Sequence, residues 1–505
     1  MTLPPRLPPA SVSSPSTTRR GVVAAGHSAT AAAGAAVLRE GGNAVDAAVA
    51  AVLTSFVAEP LLTGFGAGGY LLVVPPGGEP VLLDFFVETP GRELDPGDRA
   101  PLRAITVDFG DATQVFHVGA ASCGTYGTPA GLATAVDLFG RAPLAELTAP
   151  AAELARTGVR VAPMQAYLYA LLAEINAATP AGRARYLPGG VPPREGDLVT
   201  DPELAEALDR FGAEGPAPFY TGDVAAAVVE EVRAHSGLLG PADLAAYRVI
   251  EREPVRVPYR GTTVCTNPPP SAGGVLVGRA LAELDSVPGP PDVAALVAAM
   301  AAAERERTPE FLAGLTAADC AGANRLGSTT HVSVLDTDGW ACSVTCSNGE
   351  GSGVVVPGTG VHLNNVLGEE DLSPLGFHTQ PPGTRLPSMM APTVVLRDGV
   401  AELVVGSAGS NRIRSALLQV LVNVVDRGMA AQEAVDAPRL HYDVEGLFAE
   451  PGIPAAALAA TGLPVTAFRS PNLYFGGCQA VARDPMTGEL TGGADPRRGG
   501  AVAVS

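Results

Sequence analysis

Gly327-Ser328-Thr329-Thr330-His331-Val332-Ser333-Val334-Leu335-Asp336 is the stretch from which the rest of the chain is best read. Small, flexible residues run straight into a strand that begins with two threonines. Apolar and polar positions then alternate to Asp336, Thr337-Asp338-Gly339 supplies a turn, and Trp340 to Thr345 returns as a second strand. Two threonines at a strand start are accounted for by capping and pairing, and spacing alone favours that reading. The chemical alternative depends on a cut. With the bond before Thr329 broken, that residue would carry both a hydroxyl and a free α-amine, whose unperturbed pKa of ~7.7–8 suits a general base.

Elsewhere the chain offers few rivals for this role. It has 505 residues and contains no lysine, so all 33 basic residues are arginine. That excludes Schiff-base chemistry, a phosphate loop ending in Gly-Lys-Ser or Gly-Lys-Thr, the kinase lysine and a Ser-Lys dyad, leaving a chain terminus as the one source of an amine. A composition of 47% hydrophobic and 17% charged residues belongs to a folded protein, either two ordinary domains or one large layered one. The formal charge of −19 argues against nucleic acid or an anionic membrane as the main partner. Six scattered cysteines and seven dispersed histidines lack zinc spacing, so no metal site is expected and the cysteines read as buried small hydrophobes. Met1 to Gly26 lacks the apolar core of a secretory signal, which sets the expectation of a cytoplasmic protein with a loose tail at 1–20, and no run reaches the ~18 apolar residues of a membrane span.

Ser28 and Asn43 each precede an alanine-rich helical stretch, the second ending before Pro60. Tyr70–Val74 and Val81–Phe86 read as a hairpin, residues 129 to about 250 as mostly helical, and Thr308 to Ser328 as a mobile segment. A hairpin around Asp398-Gly399, a helix from Ser410 to Asp426 and a last strand pair, Cys478–Ala482 with Ala501–Val504, complete the pattern. Strands, a helical block, then strands again without strict alternation point to antiparallel sheets covered by helices. Gly64-Phe-Gly-Ala-Gly-Gly69 contains a Gly-x-Gly-x-x-Gly string, but it follows a helix and enters a strand. It therefore reads as a turn where backbones approach closely, not as a dinucleotide site. No Gly-x-Ser-x-Gly elbow occurs.

Several stretches stand in a telling order: Gly41 to Ala51, Glu59-Pro60 with the turn at 64–69, Glu88-Thr-Pro90, Asp243 to Arg248, Pro268 to Gly274, Thr329 to Asp336, Leu363-Asn-Asn365 and Asp495 to Arg498. Jointly they resemble the γ-glutamyltranspeptidase family across about residues 20 to 505. The resemblance implies an N-terminal-nucleophile hydrolase with an α+β, four-layer αββα sandwich, cut between Ser328 and Thr329 into subunits 21–328 and 329–505 that stay associated as a heterodimer. Thr329 would attack the γ-amide of a glutathione-like, amino-acid-like or peptide donor without metal or cofactor and pass the acyl group to water or an amino acid. Carried over singly, Ser347 matches a hydroxyl that bonds the nucleophile, and Asn348 a donor contact. Gly409 and Ser410 match the glycine pair whose N–H groups stabilise the oxyanion, and Ser388 the first of two serines holding the donor α-carboxylate.

Departures concentrate in the donor pocket. Where the family reads Asp-Phe-Arg-Glu, this chain has Asp84-Phe85-Phe86-Val87-Glu88, so the bidentate carboxylate clamp is missing. The second serine is Met389. The acid that would meet the donor ammonium is displaced among Glu369, Glu370 and Asp371. Arg92 is a candidate replacement for the clamp, although an exposed arginine beside a turn reads first as a surface charge. These changes keep two alternatives open, an acylase with a different acyl donor and a catalytically silent relative.

Overall fold

The computed structural model describes residues 20–95, 102–108, 113–308, 311, 329–369, 376–444 and 446–505. Its fold is mixed α/β and is built on two antiparallel sheets. The first has seven strands in the order Ala501–Val504, Gly21–Ala25, Thr330–Asp336, Ala341–Ser347, Gly68–Val74, Val81–Phe85, Ile250–Arg252. The second has six, in the order Leu490–Ala494, Gly477–Arg483, Val400–Ala408, Thr393–Arg397, Thr262–Thr266, Val255–Tyr259.

Alternation along Thr330–Asp336 places the two faces of the first sheet. Val332 and Val334 join the apolar cluster of the helices Ser28–Glu40 and Ala44–Ala58. Leu335 and Ser333 point the other way, and the Ser333 hydroxyl donates to the Gln479 carbonyl of the second sheet at 2.9 Å. The second sheet in turn packs against the helices Ala272–Asp285 and Arg412–Val425. All fifteen residues of Ala44–Ala58 are buried, as its nearly uniform apolar sequence requires. Asn43 caps its start, accepting from the Val45 and Asp46 amides while Asp46 accepts from the Asn43 amide, a reciprocal pair worth ~1 kcal/mol.

The structure corrects two expectations and adds strands that were not foreseen. The first helix is capped by His27, whose Nδ1 accepts from the Ala29 amide at 3.1 Å, because Ser28 already lies inside the helix. Gly21–Ala25, for which no element was expected, is a fully buried strand between Ala501–Val504 and Thr330–Asp336. Cys478–Ala482 and Ala501–Val504 do not pair. The former sits between Val400–Ala408 and the unanticipated strand Leu490–Ala494, whereas Ala501–Val504 closes the other sheet. Five-residue strands of small apolar residues carry little periodic signal, and pairing 480 residues apart carries none locally. A hairpin of Arg103–Asp108 with Thr113–Val118 was likewise not foreseen. The expected tail at 1–20 falls outside the described residues except for Arg20, and the expected mobile segment does so except for Thr308 and Phe311.

Candidate active site

Thr329 stands immediately before its strand, and the pairing of Thr330 with Cys346 sets it beside Ser347 at the end of the neighbouring strand. The Thr329 hydroxyl donates to Ser347 Oγ at 3.3 Å, and Ser347 Oγ also accepts from the Gly349 amide at 2.9 Å. Both side chains are buried. Thr330 points to the opposite face, where its hydroxyl donates to Glu59 Oε2 at 2.8 Å, while the Thr30 hydroxyl donates to Glu59 Oε1 at 2.8 Å. Burial raises the Glu59 carboxyl to about 7, against the opposing pull of the Thr330 and Thr30 bonds. His331 points away from solvent between the sheets, bonded to Thr345 and Ser333. Burial lowers it to about 3, so it is a neutral packing residue rather than a base.

The second sheet brings its own turn to this end. The His331 ring lies directly over Gly406, where any Cβ would strike the imidazole, and Ser343 Oγ donates to the Val405 carbonyl. From these fixed points Thr329 and Ser347 on one sheet, and Ala408 and Gly409 on the other, run toward the same edge. Gly409 at φ 116° and Ser410 at φ 47° form a left-handed corner before the helix Arg412–Val425. Serine rarely adopts such a φ, and holding it there costs ~1 kcal/mol. The corner stands just before the start of a helix, a place in a fold where backbone N–H groups can stabilise a developing oxyanion.

The glycine turn at 64–69 works by close approach, since none of its glycines has positive φ. A Cβ on Gly66 would collide with the His362 carbonyl, and one on Gly68 would lie 2.8 Å from the Val87 amide. Across the sheet Ser347 pairs with Gly68 and Gly69 with Phe85, so the Phe86–Val87 backbone crosses Gly68 beside the row of Thr329 and Ser347.

Phe86 is buried and stacks on Tyr70 with 5.5 Å between ring centroids, in a cluster that includes Met389, Met390 and Leu386. Ser388 is buried, its hydroxyl accepting from the Met390 amide at 2.9 Å and its carbonyl from Ser271 Oγ at 2.9 Å. Asn348 Nδ2 donates to the His362 carbonyl at 3.3 Å, and its buried Oδ1 has no partner among the described residues. Glu369 is brought to Gly349, where a Cβ would meet its Oε1 at 2.5 Å. Ser328, Glu370 and Asp371 lie outside the described residues.

Arg92 does not replace the clamp, because it is held near Glu88 at 3.6 Å and Asp243 at 3.9 Å. Arg385, which sequence reasoning did not single out, lies buried between Asp84 at 3.5 Å and Glu88 at 3.4 Å, packs 4.8 Å over the Tyr247 ring and donates to the Phe86 carbonyl. Its charge is committed. Glu59 was also missed as a functional candidate: it meets Thr330 across 271 residues, and only tertiary contact could reveal the pair. Among the described residues no group of three or more His, Cys, Asp or Glu side chains converges as a metal set, and no helix is long and apolar enough to cross a membrane.

Comparison with known proteins gives a consistent picture. The family model for gamma-glutamyltranspeptidase matches residues 30–311 and 304–505. The chain is 34% identical to the acylase ACY 1 proenzyme of Pseudomonas sp. (strain SE83), covering 97% of this chain and 95% of that one. It is 31% identical to the glutathione hydrolase proenzyme of Escherichia coli (strain K12), covering 95% and 90%. Among solved structures, the cephalosporin acylase from Bacillus halodurans superposes with a TM-score of 0.82 at 26% identity, covering 100% of this chain and 99% of that one.

Proposed function

This chain is an enzyme of the gamma-glutamyltranspeptidase family, and from that premise we propose that it processes itself at Ser328–Thr329 and then cleaves amides through Thr329. The observation that carries this reading is the 3.3 Å contact of Thr329 Oγ with Ser347 Oγ, at strand ends that run toward the same edge as the Gly409–Ser410 corner. In the first event Thr329 Oγ attacks the Ser328 carbonyl carbon and the C–N bond breaks. Water then hydrolyses the resulting ester, leaving a Ser328 carboxylate and a free Thr329 amine. In turnover that amine takes the hydroxyl proton as Oγ adds to the substrate carbonyl, and the proton leaves with the departing amine. The acyl group passes from Thr329 to water or to an amino-acid acceptor. Residues 21–328 and 329–505 would be the two associated subunits. The helices covering the outer faces of two sheets support the four-layer αββα reading.

For the donor, a γ-glutamyl amide of the glutathione type is the family reading, with Asn348, Glu369, Ser388 and Met389 near the acyl group. One observation favours a second reading, an acylase for a different acyl group. Phe86 sits against Tyr70, in the same buried apolar cluster as Met389, where a carboxylate clamp is expected, and Arg385 is already spent on Asp84 and Glu88. Loss of a buried charge clamp removes ~2–5 kcal/mol of recognition for a carboxylate.

Intact mass and N-terminal sequencing of wild type and Thr329→Ala test the mechanism. Wild type should yield a fragment beginning Thr-Thr-His, and the variant should remain one inactive chain. An uncut wild type, or a cut and active variant, would refute it. Comparing kcat/KM for γ-glutamyl, glutaryl and neutral acyl anilides then decides between the donors.

A further inference from the structure

Four arginines crowd the corner that carries Gly409, and they differ in what they hold. Arg439 meets Asp495 at 2.7 Å, and Arg497 meets both Glu450 at 2.6 Å and Asp495 at 3.2 Å. Arg412 lies 4.6 Å over the Tyr474 ring and donates to the Tyr474 carbonyl at 3.2 Å. Arg498 is different. Its hydrogen bond runs from Nη2 to the Leu473 carbonyl at a long 3.4 Å, its Nε has no partner, and among the described residues no carboxylate lies within ion-pair distance.

Its position is fixed by the fold. The Arg498 stem lies across Gly477, where a Cβ would meet Cγ at 2.7 Å, and Nη2 lies 3.3 Å from where a Cβ on Gly409 would be. Gly477 pairs with Ala408, so the guanidinium sits at the edge to which the inter-sheet contacts of His331 with Gly406 also lead Thr329. Burial lowers this guanidinium to about 10, with the Arg412 and Arg439 charges adding to the effect and the more distant Asp495 and Glu350 carboxylates partly offsetting it, so it stays cationic at neutral pH. Elsewhere in this region each buried cation is matched by a carboxylate or a ring; here a partly buried cation beside Gly409 has, among the described residues, no carboxylate within ion-pair distance.

We propose that Arg498 receives a carboxylate of the substrate, and so sets specificity from the side of the nucleophile opposite Phe86. The inference rests on the reading that Thr329 is the nucleophile. A planar guanidinium with free N–H groups matches a carboxylate, which could sit on the acyl half or on the departing amine half. It would also explain how an anionic substrate is held although Phe86 has displaced the expected clamp.

Three amides separate these cases: butyryl anilide, which is neutral; glutaryl anilide, with a carboxylate on the acyl half; and 4-butyramidobenzoate, with a carboxylate on the amine half. They are compared on processed wild type, Arg498→Gln and Arg498→Lys. For Arg498→Gln, the loss of kcat/KM on one carboxylate-bearing amide should exceed the loss on butyryl anilide by about tenfold or more, and Arg498→Lys should recover part of it. A selective loss on glutaryl anilide assigns the carboxylate to the acyl half, and a selective loss on 4-butyramidobenzoate assigns it to the amine half. Equal losses on all three overturn the proposal, as does an Arg498→Lys variant no better than glutamine while its Tm and processing match wild type. Absence from wild type of a fragment beginning Thr-Thr-His would instead count against Thr329 as nucleophile, which keeps the two failures distinct.

Discussion

Replacing Glu59 with glutamine isolates one ionisation beside Thr330, the residue that follows Thr329. The Glu59 carboxyl is raised from 4.5 to about 7 by burial, and its oxygens take hydrogen bonds from Thr30 and Thr330. Between those two values the folded protein holds a proton that the unfolded chain has released. Wild-type stability therefore falls as pH rises through this window and levels off above about 7. A shift of that size corresponds to ~3 kcal/mol over the window, of which roughly 2.5 kcal/mol falls between pH 5 and 8. Glutamine does not titrate, so Glu59→Gln should gain about that much relative to wild type on going from pH 5 to 8. His331, His362 and His441, lowered by burial to about 3, 3 and 4, act with the opposite sign, since their stabilisation is lost as pH falls below their unfolded value. They are common to both proteins and cancel in the difference. Urea unfolding at the two pH values, with both proteins carrying Thr329→Ala so that single chains are compared, reads the effect as a change in the gap between midpoints. An unchanged gap would show that Glu59 is ionised in the folded protein at pH 5, and the reasoning about its burial would be wrong.

Ser347→Ala removes the partner of Thr329 Oγ and the acceptor of the Gly349 amide, and should lower kcat by ~10–100-fold with smaller change in KM; steady-state kinetics on any cleaved anilide decide this. Gly406→Ala drives a methyl group into the His331 ring and should cost ~2–3 kcal/mol, read as a lower Tm. His331→Ala in the same chain should recover part of the loss, and simple additivity of the two would contradict the contact. Arg385→Met leaves Glu88 with Arg92 and Asp84 with Arg252, yet strips a buried cation from both acids. A loss of ~3 kcal/mol is expected in urea unfolding, and a change under 1 kcal/mol would mean that the cluster is not electrostatically coupled.

Much of this protein was legible in the chain itself, wherever the information is local. The Thr329 strand and its return to Thr345 follow from strict alternation and an Asp-Gly turn, and the glycines at 64–69 announced a close approach because a missing Cβ has no other use there without positive φ. The absence of lysine removes the usual amines on composition alone. What the order of residues could not supply was the pairing of distant segments. The hydrogen bond of Thr330 to Glu59, the placing of Gly21–Ala25 beside Thr330–Asp336, the commitment of Arg385 to Asp84 and Glu88, and the isolation of Arg498 among four arginines depend on contacts between residues far apart in sequence. A side chain's type fixes which bonds it is able to make. Which partner it finds, and hence whether its charge is spent or left for a substrate, is decided when folding excludes water from one set of neighbours rather than another.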